Sequence, residues 1–166
     1  MSEQQEQLAT HFKQAMRRLT STISLITTRH AGIPYGMAAT AVQSVTADPA
    51  TLLVCINTSA SIRDALRESG RFAVNLLHLS HVDLVPAFSG LLKGEERFAH
   101  GDWREIEDMP VLADSQATLV CEVESVTTIG SHDVFFGRVI WVGMRDDISP
   151  LLYENGQCVR SNAIGA

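Results

Sequence analysis

Three short segments of this sequence carry residue types and spacings suited to chemistry. The first spans residues 36–44, where Gly36, Ala38, Ala39, Thr40 and Ala41 leave a backbone with little side-chain bulk. Such a strand lets its N–H groups approach a flat ligand closely. The same composition suits a tightly packed strand, and the segment alone does not choose between the two. The second segment is Asn57-Thr58-Ser59-Ala60-Ser61-Ile62-Arg63. It leaves an apolar run and enters a helical pattern, so free N–H groups, hydroxyls and the helix dipole converge there. One hydroxyl suffices to cap a helix; Thr58, Ser59 and Ser61 together favour an anion such as phosphate. The third segment, Gly130-Ser131-His132, sits between two strand-like stretches and sets a histidine at a strand end.

The signatures of side-chain catalysis are scarce. There is no nucleophile elbow, no zinc-binding His-Glu-x-x-His, no phosphate-binding Gly-rich loop with Lys-Ser/Thr and no dinucleotide fingerprint. His78 and His81 are the one close histidine pair, and only Asp83 stands at useful spacing beside them. They read as two solvated surface histidines, not as metal ligands. Cys55, Cys121 and Cys158 form no C-x-x-C pair. Odd and widely spaced, they suit reduced thiols in the cytoplasm better than a disulfide framework. This scarcity favours a protein that lends its site to a cofactor's own chemistry, with no catalytic side chain and no metal.

The elements that must position these segments follow from periodicity. Leu8, Phe12, Ala15, Met16 and Leu19 recur at helical spacing within residues 4–20, although the first ten residues are polar enough to form a flexible tail. Residues 23–28 are rich in β-branched side chains and predict a strand. Residues 29–34 predict a turn, residues 35–42 a strand of small residues, and residues 51–57 a strand buried on both faces. Residues 59–69 predict a short helix stopped by Gly70. Residues 71–77 predict a strand, 80–88 a helix and 91–109 mostly loop. Residues 117–128 and 134–142 predict two long strands, and a last hairpin turns at Asn155-Gly156. The strands come in neighbouring runs, which predicts an antiparallel sheet or barrel with peripheral helices, not a doubly wound parallel sheet.

Composition narrows the class further. With 166 residues the chain is expected to form one domain over 1–166. Its 45% hydrophobic and 19% charged residues argue against disorder. The net charge of −6 argues against a nucleic-acid partner. No apolar run approaches the length of a membrane span, and the polar, acidic first residues do not form a signal peptide.

Several motifs recur together in a recognisable order. They include Phe12-Lys13-Gln14-Ala15-Met16, residues 36–46, residues 51–57 and Phe72-Ala73-Val74-Asn75-Leu76-Leu77. Glu96-Arg97-Phe98, Gly101-Asp102-Trp103 and residues 130–137 follow. The ordered set resembles the short-chain flavin reductase family, the reductase components of two-component flavin-dependent monooxygenases such as 4-hydroxyphenylacetate 3-monooxygenase. It runs from about residue 12 to residue 153, nearly the whole chain.

That resemblance implies a mainly β fold, a split β-barrel of Greek-key type with peripheral helices, usually a homodimer that binds FMN or FAD. It places backbone contacts to the isoalloxazine at Met37, Ala38, Ala39, Thr40, Ala41 and Ser44. It gives the flavin phosphate to Asn57, Thr58, Ser59, Ala60 and Ser61, with Asn75, Phe88, Arg97 and Phe98 as further flavin contacts. Arg97 would face a phosphate or the flavin edge. His132 and Tyr153 would lie by the nicotinamide. The implied activity is that of an NAD(P)H:flavin oxidoreductase passing a hydride to FMN or FAD and supplying a flavin-dependent oxygenase. No arginine cluster marks a 2′-phosphate site, which favours NADH over NADPH. Alternatives are reduction of another acceptor such as a corrinoid cobalt, a non-catalytic flavin-binding electron carrier, and a structural β-barrel module. Pro49-Ala50 stands where the family often has two prolines, and the sequence ends soon after Arg160, which speaks against a family function that needs a longer tail.

Overall fold

The computed structural model describes residues 2–165. Helix α1 (Glu3–Met16) opens on a capping box in which Ser2 and Gln5 satisfy one another's backbone N–H groups. Residues 3–10 are therefore helical and not an irregular tail; Met1 lies outside the described residues. The helix stops at Met16, short of the expected residue 20, and all its residues are exposed.

The strands are β1 (Ser21–Thr22), β2 (Ser24–His30), β3 (Ile33–Ala39), β4 (Val42–Ala47) and β5 (Ala50–Asn57). After helix α2 (Ile62–Ser69) come β6 (Arg71–Leu76), β7 (Trp103–Ile106), β8 (Met109–Leu112) and β9 (Ala117–Ile129). The last are β10 (His132–Met144), β11 (Leu151–Glu154) and β12 (Gln157–Arg160). Seven strands pair in the order β3-β2-β6-β9-β10-β5-β4, all antiparallel. A second sheet runs β1-β11-β12, and β7 and β8 form a hairpin.

The expected strand over residues 35–42 is two strands. Its first part pairs with β2 and its second with β5. The break at Thr40–Ala41 thus joins the two edges of the seven-stranded sheet. The neighbouring turn is narrower than residues 29–34: Arg29 pairs with Pro34 and His30 with Ile33, leaving only Ala31 and Gly32, both at positive φ. Pro34 is tolerated because β3 is an edge strand.

Burial also departs from expectation. In β5, Leu52, Val54 and Ile56 are buried while Leu53, Cys55 and Asn57 are half-buried. The strand buried on both faces is β2. Its Ile26 packs with Val54, Ile62, Phe72 and Phe135 under α2. Its Leu25 packs with Leu77, Phe88, Leu112 and Leu151 on the other side. A β-carbon on Gly137 would stand 2.5 Å from Phe72 Cζ and 2.9 Å from Cys121 Cβ, so only glycine lets β10 close on β6 and β9.

The expected helix over residues 80–88 is a tight turn at Leu79–Leu84 followed by a separate turn at Ala87–Leu91. The expected loop over 91–109 contains another turn, Gly94–Ala99, and strand β7. His78 and His81 are not surface histidines. The His81 ring Nδ1 accepts from the His78 backbone N–H at 3.2 Å, and its Nε2 lies 3.0 Å from Asp114 Oδ1. His81 is buried, and the pair fastens the 78–84 turn.

Candidate functional site

Three of the segments meet at the C-terminal end of β5. The Cys55 N–H donates to Ala41 O at 3.1 Å, which holds the Thr40–Ala41 corner against that end. Two residues further on, Asn57 pairs with His132 in the β5–β10 register. The Thr58 N–H donates to Ser131 O at 2.9 Å, so the 57–61 loop and the Gly130–Ser131–His132 turn are directly bonded. Gly130 and Ser131 form a two-residue connection, and His132 already belongs to β10.

Within the loop, Asn57 Oδ1 accepts from the backbone N–H of Ser59 at 2.9 Å and from its hydroxyl at 2.8 Å. Asn57 therefore shapes the turn. Ser61 stands at the cap position of α2 yet makes no side-chain cap bond. Neither Ser59 nor Ser61 caps the helix, so simple capping does not account for these hydroxyls. Thr58, Ser59 and Ser61 are exposed at the positive end of the helix dipole, and Ala60 packs on the core beneath them.

Beside the corner, Ala38, Ala39 and Thr40 line a cavity of about 240 Å³ together with Ile23, Val85, Ser89 and Tyr153. A second cavity of about 470 Å³ is lined by Thr40, Ala41 and Tyr153 on one side and by Phe12 and Met16 of α1 on the other. The second falls within the usual size of small-ligand pockets. Tyr153 reaches this place because β11 pairs with β1, setting Tyr153 opposite Ser21. The small-residue strand and the C-terminal aromatic are thus brought together. Met37 packs inward on the core, and exposed Ser44 lies along β4 and lines neither cavity.

The other four expected flavin contacts, Asn75, Phe88, Arg97 and Phe98, line neither of these cavities. Asn75 is fully buried, and its amide bonds four groups on three other strands. Phe88 is buried against Phe98 and Trp103, with ring centroids 5.4 and 5.6 Å away. Phe88 and Phe98 back β3 at Gly36, where a β-carbon would stand 2.7 Å from Phe88 Cε1 and 3.1 Å from Phe98 Cζ. Arg97 is half-buried beside two backbone carbonyls. It donates through Nε to Leu92 O at 2.9 Å and through Nη1 to Gly36 O, tying the 92–97 segment to β3.

One group was missed. Asp133 is fully buried beside His132 and accepts from Arg63 Nε at 2.6 Å, Arg67 Nε at 2.9 Å and the Thr128 hydroxyl at 2.6 Å. Donation from Arg67, Thr128 and Arg63 holds its carboxyl well below the usual carboxylate range, against the opposing effect of burial. The signal was available as an acid in an apolar strand opposite two arginines spaced one helical turn apart.

Comparison with known proteins agrees with this architecture. Residues 16–161 match the family described as flavin reductase like domain. The chain is 41% identical over 143 residues to the FMN reductase (NADH) RutF of Pseudomonas syringae pv. syringae, covering 86% of this chain and 80% of that protein. It is 35% identical over 162 residues to the reductase component of a FADH(2)-dependent resorcinol hydroxylase from a Rhizobium species, covering 95% and 90%. Among solved structures, the flavin reductase PheA2 superposes with a TM-score of 0.85 at 27% identity, over 98% of this chain and 100% of that one. A homologue of nitrilotriacetate monooxygenase component B from Mycobacterium thermoresistibile gives 0.87 at 28%, over 97% and 89%. A mainly β, antiparallel chain whose small-residue corner, hydroxyl loop and histidine turn meet at one strand end thus has its relatives throughout its length, and it belongs to the flavin reductase like domain family.

Proposed function

We propose that this chain is an NAD(P)H:flavin oxidoreductase that reduces FMN or FAD and supplies the reduced flavin to a partner oxygenase. The observation that carries this is the convergence of the Thr40–Ala41 corner, the 57–61 loop and His132 on one end of β5. The residues present fit a flavin: a low-bulk strand beside a cavity, and hydroxyls at a helix N-terminus that make no cap bond. The bound cofactors supply a hydride transfer from nicotinamide C4 to flavin N5, so no side-chain nucleophile is needed. The chain orients the two rings and keeps water from them. Residues 37–41 receive the ring, residues 57–61 the phosphate, and His132 and Tyr153 the nicotinamide side. NADH as donor is supported by the RutF relatives, which are named as NADH-dependent.

The finer fold in this reading is a split β-barrel of Greek-key type in a single domain. Its support is that the two edge strands of the large sheet, β3 and β4, are consecutive and joined by only Thr40–Ala41. A homodimer belongs to the same reading. Leu8, Phe12, Met16 and Leu19 are exposed along and just beyond α1, next to the larger cavity. A second subunit would cover them, and an isologous two-fold contact is the commonest arrangement. Light scattering at micromolar concentration is expected to give twice the chain mass; a value near 18.1 kDa refutes the dimer. The free thiols of Cys55, Cys121 and Cys158 suit a cytoplasmic location, and no helix among the described residues is long and apolar enough to cross a membrane.

Flavin titration tests the function. Apoprotein is expected to bind FMN or FAD saturably and to oxidise NADH with turnover of added flavin. The Ser59→Ala, Ser61→Ala double variant is expected to bind FMN and FAD about tenfold more weakly while sparing riboflavin, since charge-assisted bonds to phosphate are the strong ones. Equal losses for all three flavins would remove the phosphate role from residues 57–61.

A further inference from the structure

The buried carboxylate of Asp133 lies between the two parts of the site. On one side is α2, whose first residue follows Ser61 directly. On the other is the β9–β10 hairpin, which carries Gly130, Ser131 and His132. Asp133 Oδ2 takes both Arg63 and Arg67, and Oδ1 takes Thr128 from β9. Successive residues of a strand point to opposite faces. His132 and Asp133 therefore share one piece of backbone, with the imidazole exposed on one face and the carboxylate buried on the other. Beyond this clasp, the described bonds between the 57–61 loop and the hairpin turn are those of Thr58 to Ser131 O.

We propose that Asp133 is a positioning residue: the β5–β10 register fixes the start of the 57–61 loop, and by gripping both arginines of α2 Asp133 fixes the end of that loop relative to the Gly130–Ser131–His132 turn. This rests on the flavin reductase function proposed above. A buried ion pair contributes little net stability, because desolvation offsets the attraction. What it supplies is geometry, since two guanidinium groups one turn apart can meet one carboxylate in few helix orientations. With the carboxylate replaced, Ile62, Ala65 and Leu66 still hold α2 on the core, but its two arginines lose their common partner and its first turn is no longer tied to β10. The hydroxyls and N–H groups of residues 58–61 then lose their common focus, whereas the strand that receives the ring is untouched. The role is thus distinguishable from a purely structural one by which flavins suffer.

The test compares FMN with riboflavin on the wild type and on Asp133→Asn, with thermal unfolding in parallel. The wild type is expected to prefer FMN. Asp133→Asn is expected to raise the FMN dissociation constant about tenfold and the riboflavin constant less than twofold. At saturating flavin, KM for NADH should rise more than kcat falls, because His132 moves relative to the loop. Arg67→Gln leaves Arg63 and Thr128 on the carboxylate, so it should fold where Asp133→Asn does not. It should show the same selective loss at smaller size. A folded variant of either kind that keeps the wild-type FMN-to-riboflavin ratio overturns the positioning role, whatever its melting temperature. A wild type that binds neither flavin overturns the function itself, and one that binds both equally overturns the phosphate assignment on which the positioning role depends.

Discussion

Asn75→Ala is expected to lower stability by about 3–5 kcal/mol and to leave flavin affinity within twofold in the protein that remains folded. Asn75 Nδ2 donates to Leu25 O at 3.0 Å and to the Thr27 hydroxyl at 3.2 Å. Its Oδ1 accepts from the Leu112 N–H at 2.8 Å and from the Thr118 hydroxyl at 3.2 Å. One side chain on β6 thus bonds β2, β8 and β9 in the interior, where water cannot replace it. Truncation takes the acceptor from the Leu112 N–H and the Thr118 hydroxyl and a donor from Leu25 O and the Thr27 hydroxyl; an unsatisfied buried group costs about 1–3 kcal/mol, and the small cavity adds to it. Thermal unfolding should move down by about 10 °C for a domain of this size. A cofactor role predicts the opposite pattern: an unchanged melting temperature and a raised flavin dissociation constant. Calorimetry and a flavin titration on the same preparation separate the two.

The Asn75 outcome shows what a linear motif carries and what it omits. Phe72-Ala73-Val74-Asn75-Leu76-Leu77 was recognisable as a strand, and it is one. Whether its asparagine faced a ligand or the core depended on Leu25, Thr27, Leu112 and Thr118, none of them near in sequence. Local chemistry was legible wherever a turn demanded a particular residue. Asn155 and Gly156 sit at positive φ in a two-residue hairpin, as their pair predicts. The β7–β8 hairpin was hidden because its turn residues, Glu107 and Asp108, adopt positive φ without glycine or asparagine. The break at Thr40–Ala41 was hidden for another reason. No proline or glycine marks it, and the extended pattern continues through it. Only the different partners of β3 and β4 divide the strand.

The site shows the same division. The 57–61 loop and the 130–132 turn were each legible from residue type, because hydroxyls at a helix start and glycine at a hairpin have local causes. Their meeting is a matter of register between β5 and β10, which is non-local. Arg97, a charged residue beside aromatics, suggests a ligand contact in sequence, whereas in the fold its Nε and Nη1 donate to the Leu92 and Gly36 carbonyls. Buried backbone carbonyls need partners as much as ligands do.

His132→Ala is expected to leave flavin affinity nearly intact and to lower kcat/KM for NADH about threefold to tenfold, the value of one hydrogen bond. His132 is exposed at the first position of β10, paired to Asn57 on one side and Ile129 on the other. Its backbone is therefore held rigidly while its ring faces outward. The Ser131 hydroxyl lies 3.0 Å from the ring Nδ1. When that hydroxyl donates, the ring proton resides on Nε2, which makes Nε2 a donor toward whatever stacks over the loop. A carboxamide oxygen of the nicotinamide is such an acceptor. The fall should lie in KM where His132 only holds the ground state, and in kcat where it fixes the distance between the rings. His132→Gln, which keeps a donor of similar reach, should recover part of the loss, as a positioning role requires. An exposed turn histidine with no ligand would change stability by less than about 0.5 kcal/mol and the kinetics not at all. Steady-state NADH oxidation at saturating flavin, with wild type and both variants side by side, decides the matter: unchanged kcat/KM in a folded, flavin-binding His132→Ala protein takes this residue out of the nicotinamide site and leaves Tyr153, across the Thr40–Ala41 corner, as the group to test next.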